Sequence, residues 1–279
     1  MKITYTLHSH TYRCGHASGD IEDYAKEATR LGFNILGVSD HVFLPYVSQP
    51  WMRGEYEELL GYIETYKEVK EKYKDSLHMF LAFECEYIPK YLDYYASLLK
   101  YYEFDYLLCG QHMTFDVNGQ TEIYFNYSSL DNIKGIKRYR DDVVLAIKSG
   151  LFLYIAHPDL FMYTVTKITP EIVEVFNDII DASIKYEVPL EINYSGYYRN
   201  KSDLAHGTIG YPCKEFWKIA KAKGAKMIFG GDYHSIEAMS DNYTLNKLNS
   251  LIEELDISFS DPIEEYKKYR ERIEKMLKI

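Results

Sequence analysis

Short apolar runs rich in β-branched residues recur along the chain. Longer stretches separate them, and there apolar positions repeat at helical spacing. The runs are Lys2–Leu7, Asn34–His41, His78–Glu86, Asp105–His112, Leu151–His157, Pro189–Tyr194 and Ala225–Asp232. Between them lie the helical patterns Gly19–Leu31, Gly54–Tyr73, Lys90–Tyr101, Gly135–Ser149, Thr169–Tyr186 and Pro212–Lys223, and Ser235–Leu255 and Asp261–Leu277 close the chain. Gly32, Gly150 and Gly224 each follow a helical pattern and precede a strand, where a C-terminal cap belongs. Asp261-Pro262 suits a helix start, with Pro in the first turn. Strands alternating with helices predict a mostly parallel sheet with helices outside it. No linker, low-complexity tract or internal repeat interrupts the pattern, so residues 1–279 are expected to form one domain.

The polar residues at the ends of these strands change the picture. The first strand runs into His8 and His10, with His16 in the loop beyond, and the second ends in Asp40-His41. The third carries Glu84 and Glu86, the fourth ends in His112 and the fifth in His157. The sixth carries Glu191 and Asn193, and the seventh ends in Asp232 and His234. In a parallel β/α barrel all these ends lie on one face, where such barrels place their active sites. His8/His10, Glu84/Glu86 and Asp232/His234 are also i, i+2 pairs, which point the same way on a strand. A lone His at a strand end is usually a hydrogen-bonded loop residue. Imidazoles and carboxylates from six strands at one end point instead to metal ligation. Seven histidines (8, 10, 16, 41, 112, 157 and 234) with Glu84 and Asp232 exceed what one tetrahedral ion needs and suffice for two or three divalent ions of Zn, Mn or Fe. His78, at the start of a strand, is expected to be exposed, and His206 is left unassigned.

Composition narrows the partners. A net charge of -10 argues against general nucleic-acid binding, which depends on basic side chains neutralising phosphates. The four cysteines, Cys14, Cys85, Cys109 and Cys213, match no disulfide framework and suggest free thiols in a reducing cytoplasm. Neither a signal peptide nor a membrane span is expected from the apolar runs. The 29 tyrosines are a compositional bias with no role assigned from sequence.

The ordered motifs resemble those of a known family. They are His-x-His (8–10), Cys-Gly-His-Ala (14–17), Ser-Asp-His (39–41), Glu-x-Glu-Tyr-Ile-Pro (84–89), Gly-Gln-His (110–112), Ala-His-Pro-Asp-Leu-Phe (156–161), Leu-Glu-Ile-Asn-x-Ser-Gly (190–196) and Gly-Asp-x-His-Ser (231–235). Together they resemble the polymerase-and-histidinol-phosphatase (PHP) family, in its stand-alone histidinol-phosphatase-type branch. The resemblance implies an α/β fold, a distorted (β/α)7 TIM-like barrel, with three divalent metal ions at the C-terminal strand ends. Carried over by motif, His8, His10, Glu84 and Asp232 would hold the first ion. Glu84, His112 and His157 would hold the second, with Glu84 bridging, and His16, His41 and His234 the third. One departure concerns phosphate binding: no basic residue follows His157-Pro-Asp before Lys167, whereas Arg199 stands where the family has a basic residue.

The activity so implied is hydrolysis of a small phosphomonoester, L-histidinol phosphate first among them, by in-line attack of a hydroxide shared between two ions. Arg199 would bind a phosphoryl oxygen. Asp40 would either donate a proton to the leaving alkoxide or support His41. Glu86 would either bind a cationic substrate group or act as a supporting carboxylate. Other readings are a PHP phosphoesterase acting on nucleotides or another phosphomonoester, and a non-catalytic module stabilised by metal. Partners are expected to be small phosphorylated substrates, with homo-oligomers left open, and the location cytoplasmic.

Overall fold

A computed structural model describes residues 3–115, 123–126, 132–203 and 207–279. Four parallel strands come first in the sheet: β1 (Tyr5–Thr6), β2 (Ile35–Val38), β3 (His78–Cys85) and β4 (Tyr106–Cys109). Each is followed by a helix-bearing crossover, as parallel pairing requires. The first three crossovers hold α1 (Ile21–Leu31), α2 (Leu59–Tyr73) and α3 (Leu92–Tyr101). Every residue of β2 and β4 is buried, since sheet and helices cover both faces of these strands. After β4 come a short antiparallel hairpin, β5 (Met113–Phe115) with β6 (Ile123–Asn126), and the paired helices α4 (Ile133–Ser149) and α5 (Pro170–Tyr186). The second parallel pair is β7 (Leu190–Asn193) and β8 (Met227–Gly230), with α6 (Tyr194–Asp203) and α7 (Lys214–Lys223) between them. Helices α8 (Asn242–Glu254) and α9 (Pro262–Leu277) end the chain.

Isolated bridges curl this sheet. Ile155 pairs with Cys109 on one side and Leu190 on the other, and Ser9 pairs with Tyr233. The expected fifth strand, Leu151–His157, narrows to Leu153–Ala156, which share parallel backbone hydrogen bonds with β4 on one side and with the start of β7 on the other. Its start has other partners: Arg272 of α9 donates to the carbonyls of Gly150 and Phe152, and Tyr269 donates to that of Leu151. The first strand likewise shrinks to Tyr5–Thr6. The Ser235–Leu255 pattern divides into a short 3-10 turn, Glu237–Ser240, and α8, which Asp241 caps. The hairpin β5–β6 and helix α6 have no counterpart in the sequence reading, and His206 lies outside the described residues. The glycine caps stand as expected, with Gly32, Gly150 and Gly224 at φ 76°, 72° and 78°. Among the described residues no helix is long and apolar enough to cross a membrane.

Tyrosine proves to be a structural device here. Tyr106 and Tyr154 both donate to the carbonyl of Leu7, just before His8. Tyr95 donates to the carbonyl of Glu86 and Tyr139 to that of His157. Buried phenols thus satisfy carbonyls where strands end and ladder partners run out.

Candidate metal centre

Backbone pairing at the strand ends assembles the site. His41 bridges Glu84 in parallel beyond the end of the β2–β3 ladder. The amide of Asp232 donates to the carbonyl of His8, and that of His10 to the carbonyl of Tyr233, each at 2.9 Å. Residues from opposite ends of the chain therefore face one another. Two of them, His157 and Asp232, hold positive φ (31° and 49°), a strain that surrounding structure must impose and that gathers at functional sites. Two glycines clear space for carboxylates. A Cβ on Gly110 would stand 1.8 Å from Glu84 Oε1, and one on Gly230 would stand 2.0 Å from Glu191 Oε2.

Around Glu84 Oε2 the donor atoms form a tight group. His8 Nε2 lies 3.4 Å from Glu84 Oε2, 3.6 Å from Asp232 Oδ1 and 3.1 Å from His10 Nε2. His10 Nε2 lies 3.4 Å from Glu84 Oε2 and 3.1 Å from Asp232 Oδ1. Ligands about 2.0–2.2 Å from a tetrahedral ion stand about 3.3–3.6 Å apart, so these spacings fit one cation. The other oxygen of Glu84 faces a second set: Oε1 is 2.9 Å from His157 Nε2 and 3.5 Å from His112 Nε2. A carboxylate whose two oxygens face separate donor sets is placed to bridge two ions. A third set opens toward solvent, where His234 stacks on His10 and on His16 with ring centroids 4.2 and 4.8 Å apart. His41 stands between the sets, its Nδ1 3.0 Å from Glu84 Oε2.

The hydrogen bonds orient these rings for ligation. His8 Nδ1 donates to Glu191 Oε2 at 2.9 Å, and His234 Nδ1 to the Asp232 carbonyl at 2.9 Å. His16 Nδ1 is 2.8 Å from the Cys14 carbonyl and 3.1 Å from that of Trp51. His112 Nδ1 is 3.4 Å from Glu86 Oε1. Carboxylates and carbonyls accept only, so these contacts put a proton on Nδ1 and leave the Nε2 lone pair for a metal. Glu84 Oε2 and His41 Nδ1 are buried without a hydrogen-bond partner despite their proximity. Buried polar atoms are rarely left so, and close approach without hydrogen-bond alignment suits donor atoms that face cations and not each other.

The electrostatics agree. Burial alone would raise the carboxyl of Glu84, but His112, His8 and His41 hold it well below its ordinary range. Asp232 is likewise held low by His8 and His234 against its burial. Burial drives the imidazoles of His41 and His234 well below their usual values, which favours the neutral, ligating form. His8 goes the other way, because Glu191, Glu84 and Asp232 outweigh its burial. Cys14 Sγ, with one nitrogen each from His16 and His234, forms a group within 4.8 Å. Burial lifts its thiol to about 12, so it offers a neutral S–H beside a nitrogen and oxygen donor set.

Glu86 and Asp40 have neighbours that sequence reasoning did not find. Both oxygens of Glu86 lie 3.2 Å from Nη2 of a buried arginine, Arg53, whose charge takes the carboxyl down to about 2 against the penalty of burial. Asp40 accepts from the Thr11 amide at 2.7 Å and the Thr11 hydroxyl at 2.8 Å, while burial raises its carboxyl. Arg199 stands at the solvent side, Nη2 3.4 Å from both ring nitrogens of His234. Asp159 ties its loop to α7, accepting from the Cys213 amide and Trp217 Nε1 at 2.6 and 3.1 Å. A cavity of about 190 Å3 opens over the histidines, with Arg199 on its rim. His78 is exposed, as expected.

Comparison with known proteins shows the family. The family model described as PHP domain matches residues 6–195, more than half of the chain. The chain belongs to the PHP family. Among its relatives, a protein of Deinococcus radiodurans named "Probable histidinol-phosphatase" is 27% identical over 235 residues, covering 81% of this chain and 85% of its own. One of the same name from Schizosaccharomyces pombe is 22% identical over 271 residues, covering 86% and 83%. In fold, the chain is similar to the crystal structure of histidinol phosphate phosphatase from Lactococcus lactis, complexed with zinc, L-histidinol and phosphate. The TM-score is 0.68 at 16% identity, covering 92% of this chain and 94% of that one.

The support of His8 yields a first prediction. Glu191 also accepts from Asn193 Nδ2 at 2.7 Å and is buried, so Glu191→Gln keeps the shape and weakens the charge behind the ring. Metal affinity is expected to fall about 10–100-fold, as loss of such partners typically costs. Competition with a chromogenic chelator measures it, and unchanged affinity would remove Glu191 from the support of the site.

Proposed function

We propose that this PHP protein is a metal-dependent phosphatase that hydrolyses small phosphomonoesters, L-histidinol phosphate first among them. The observation that carries the reading is the quartet of His8, His10, Glu84 and Asp232, in which the two imidazole nitrogens lie 3.1 Å from each other and each lies 3.1 to 3.6 Å from an oxygen of both carboxylates. The names of the two curated relatives and the molecules held by the Lactococcus lactis structure support the substrate. In this reading residues 1–279 form one distorted (β/α)7 domain, in which the Leu151–His157 segment takes the fifth strand position. His8, His10, Glu84 and Asp232 hold the first of three divalent ions. Glu84, His112 and His157 hold the second, and His16, His41 and His234 the third. Bound divalent ions would supply activation of water and neutralisation of phosphoryl charge.

The chain's own side chains do the rest. Arg199 offers a guanidinium fork to a non-bridging phosphoryl oxygen. Glu86, paired with Arg53, aligns His112 and does not bind substrate. Asp40, fixed by Thr11, holds the loop that carries His10 and His16. A buried carboxyl with a raised proton affinity can also return a proton to the leaving oxygen, so Asp40 keeps that second role in the proposal.

Metal analysis followed by a panel of phosphomonoesters tests the proposal. About three ions per chain and phosphate release from L-histidinol phosphate are expected. A chain that takes up no divalent metal refutes it, and release from nucleotides alone favours the nucleotide phosphoesterase. Arg199→Ala is expected to raise KM for phosphomonoesters about tenfold, equivalent to about 1.4 kcal/mol of lost charge-assisted binding, with kcat less affected. Steady-state kinetics with Arg199→Lys as partner variant checks this, and unchanged kinetics would take Arg199 out of the site.

A further inference from the structure

The cavity over the histidines has an apolar wall that the metal chemistry does not use. It is formed by Trp51, Met52, Met113 and Leu160. Met52, Met113 and Leu160 are 5%, 2% and 6% exposed, whereas Trp51 is 59% exposed. The indole is thus the large open apolar surface at the rim of a polar site. Its loop is firmly held. The carbonyl of Trp51 accepts from His16 Nδ1, and Gly15 lets Pro50 approach so closely that a Cβ there would meet Pro50 O at 1.8 Å. On the other side Arg53 is fully buried and donates to the Val42 carbonyl, Gln49 Oε1 and Glu86. Among the described residues lining the cavity, the single carboxylate is Asp232, already engaged with His8 and His10. Glu86, the other candidate for a cationic group, is taken by Arg53. Recognition of the alcohol part of a substrate through charge has little to work with here, whereas recognition through a flat apolar face has an anchored indole.

We propose that Trp51 determines specificity by stacking on a planar ring in the alcohol part of the substrate. The class it selects is phosphomonoesters whose alcohol carries an aromatic or heteroaromatic ring. This rests on the phosphatase reading, and it assigns to that site the residue that recognises the leaving group. Aromatic pairs favour stacked or edge-on contacts whose strength exceeds their area alone, and methionine and leucine on the same wall add apolar contact.

Two measurements test it. The chain has two tryptophans, and Trp217 is fully buried with Nε1 on Asp159, so a ligand-dependent change in emission reports Trp51. Titration of the metal-loaded protein with L-histidinol is expected to quench emission, 2-aminoethanol is not, and Trp51→Phe abolishes the response. In kinetics, the ratio of kcat/KM for L-histidinol phosphate to that for O-phosphoethanolamine is expected to fall about tenfold in Trp51→Ala and to recover in Trp51→Phe. A ratio unchanged in Trp51→Ala, or equal quenching by both alcohols, overturns the proposal. If no phosphomonoester is hydrolysed, the phosphatase reading fails, and the emission titration still decides whether the indole receives a ring.

Discussion

Replacing Glu84 with Gln is expected to remove metal from two positions at once and to lower kcat/KM at least about a thousandfold. The geometry dictates the size of the effect. Oε2 sits among His8, His10 and His41 while Oε1 sits between His157 and His112, so one side chain serves both donor sets. Gln keeps the volume and offers one amide oxygen, a weaker donor without charge. Metal ions contribute several kcal/mol to stabilising a phosphoryl transition state, and each 1.36 kcal/mol is about a decade in rate. Metal content by mass spectrometry and phosphate release read the two effects separately. Full metal content with wild-type turnover in Glu84→Gln would exclude Glu84 as the bridge. The pocket itself should survive, because Gly110 leaves room for either side chain.

The second large effect belongs to Arg53. Its guanidinium is 0% exposed and pairs with Glu86, itself 1% exposed. Arg53→Met fills the space but leaves a buried carboxylate without its cation, a change that costs about 3–5 kcal/mol in comparable pairs. A large downward shift of the urea midpoint is expected, together with loss of metal affinity through His112, which Glu86 contacts. Adding Glu86→Leu should restore most of the stability, because two apolar groups replace a buried ion pair at little cost. It should not restore the metal affinity, since His112 then lacks its acceptor. Stability unchanged in Arg53→Met would mean that Glu86 has other compensation, and the proposed bracing of the Trp51 loop would lose its main support.

The sequence carried the fold at the level of alternation. β2, β3, β4, β7 and β8 lie inside their apolar runs, and the caps at Gly32, Gly150 and Gly224 stand where helical periodicity stops. These features are local: burial on both faces writes continuous apolar runs, and a left-handed cap favours glycine. Leu151–His157 shows where locality ends. Its composition suits a strand throughout, but only Leu153–Ala156 pair with β4 and β7, because α9 takes the carbonyls at its start. The hairpin β5–β6 was missed because its strands are short and carry weak alternation.

The site divides in the same way. The candidate ligands were legible because imidazoles and carboxylates repeat at the ends of strands, and parallel strands with outer helices put those ends on one face. The sequence by itself determined the residue types, their order and their common face. Tertiary structure alone decided which oxygen of Glu84 faces which histidines, that Glu86 belongs to Arg53, that Asp40 is held by Thr11, and that Trp51 opens onto the cavity. The site depends on contacts between residues as far as 224 positions apart, as between His8 and Asp232. No periodicity encodes such pairs, because side-chain direction and burial at the rim follow from how the sheet curls and not from spacing along the chain.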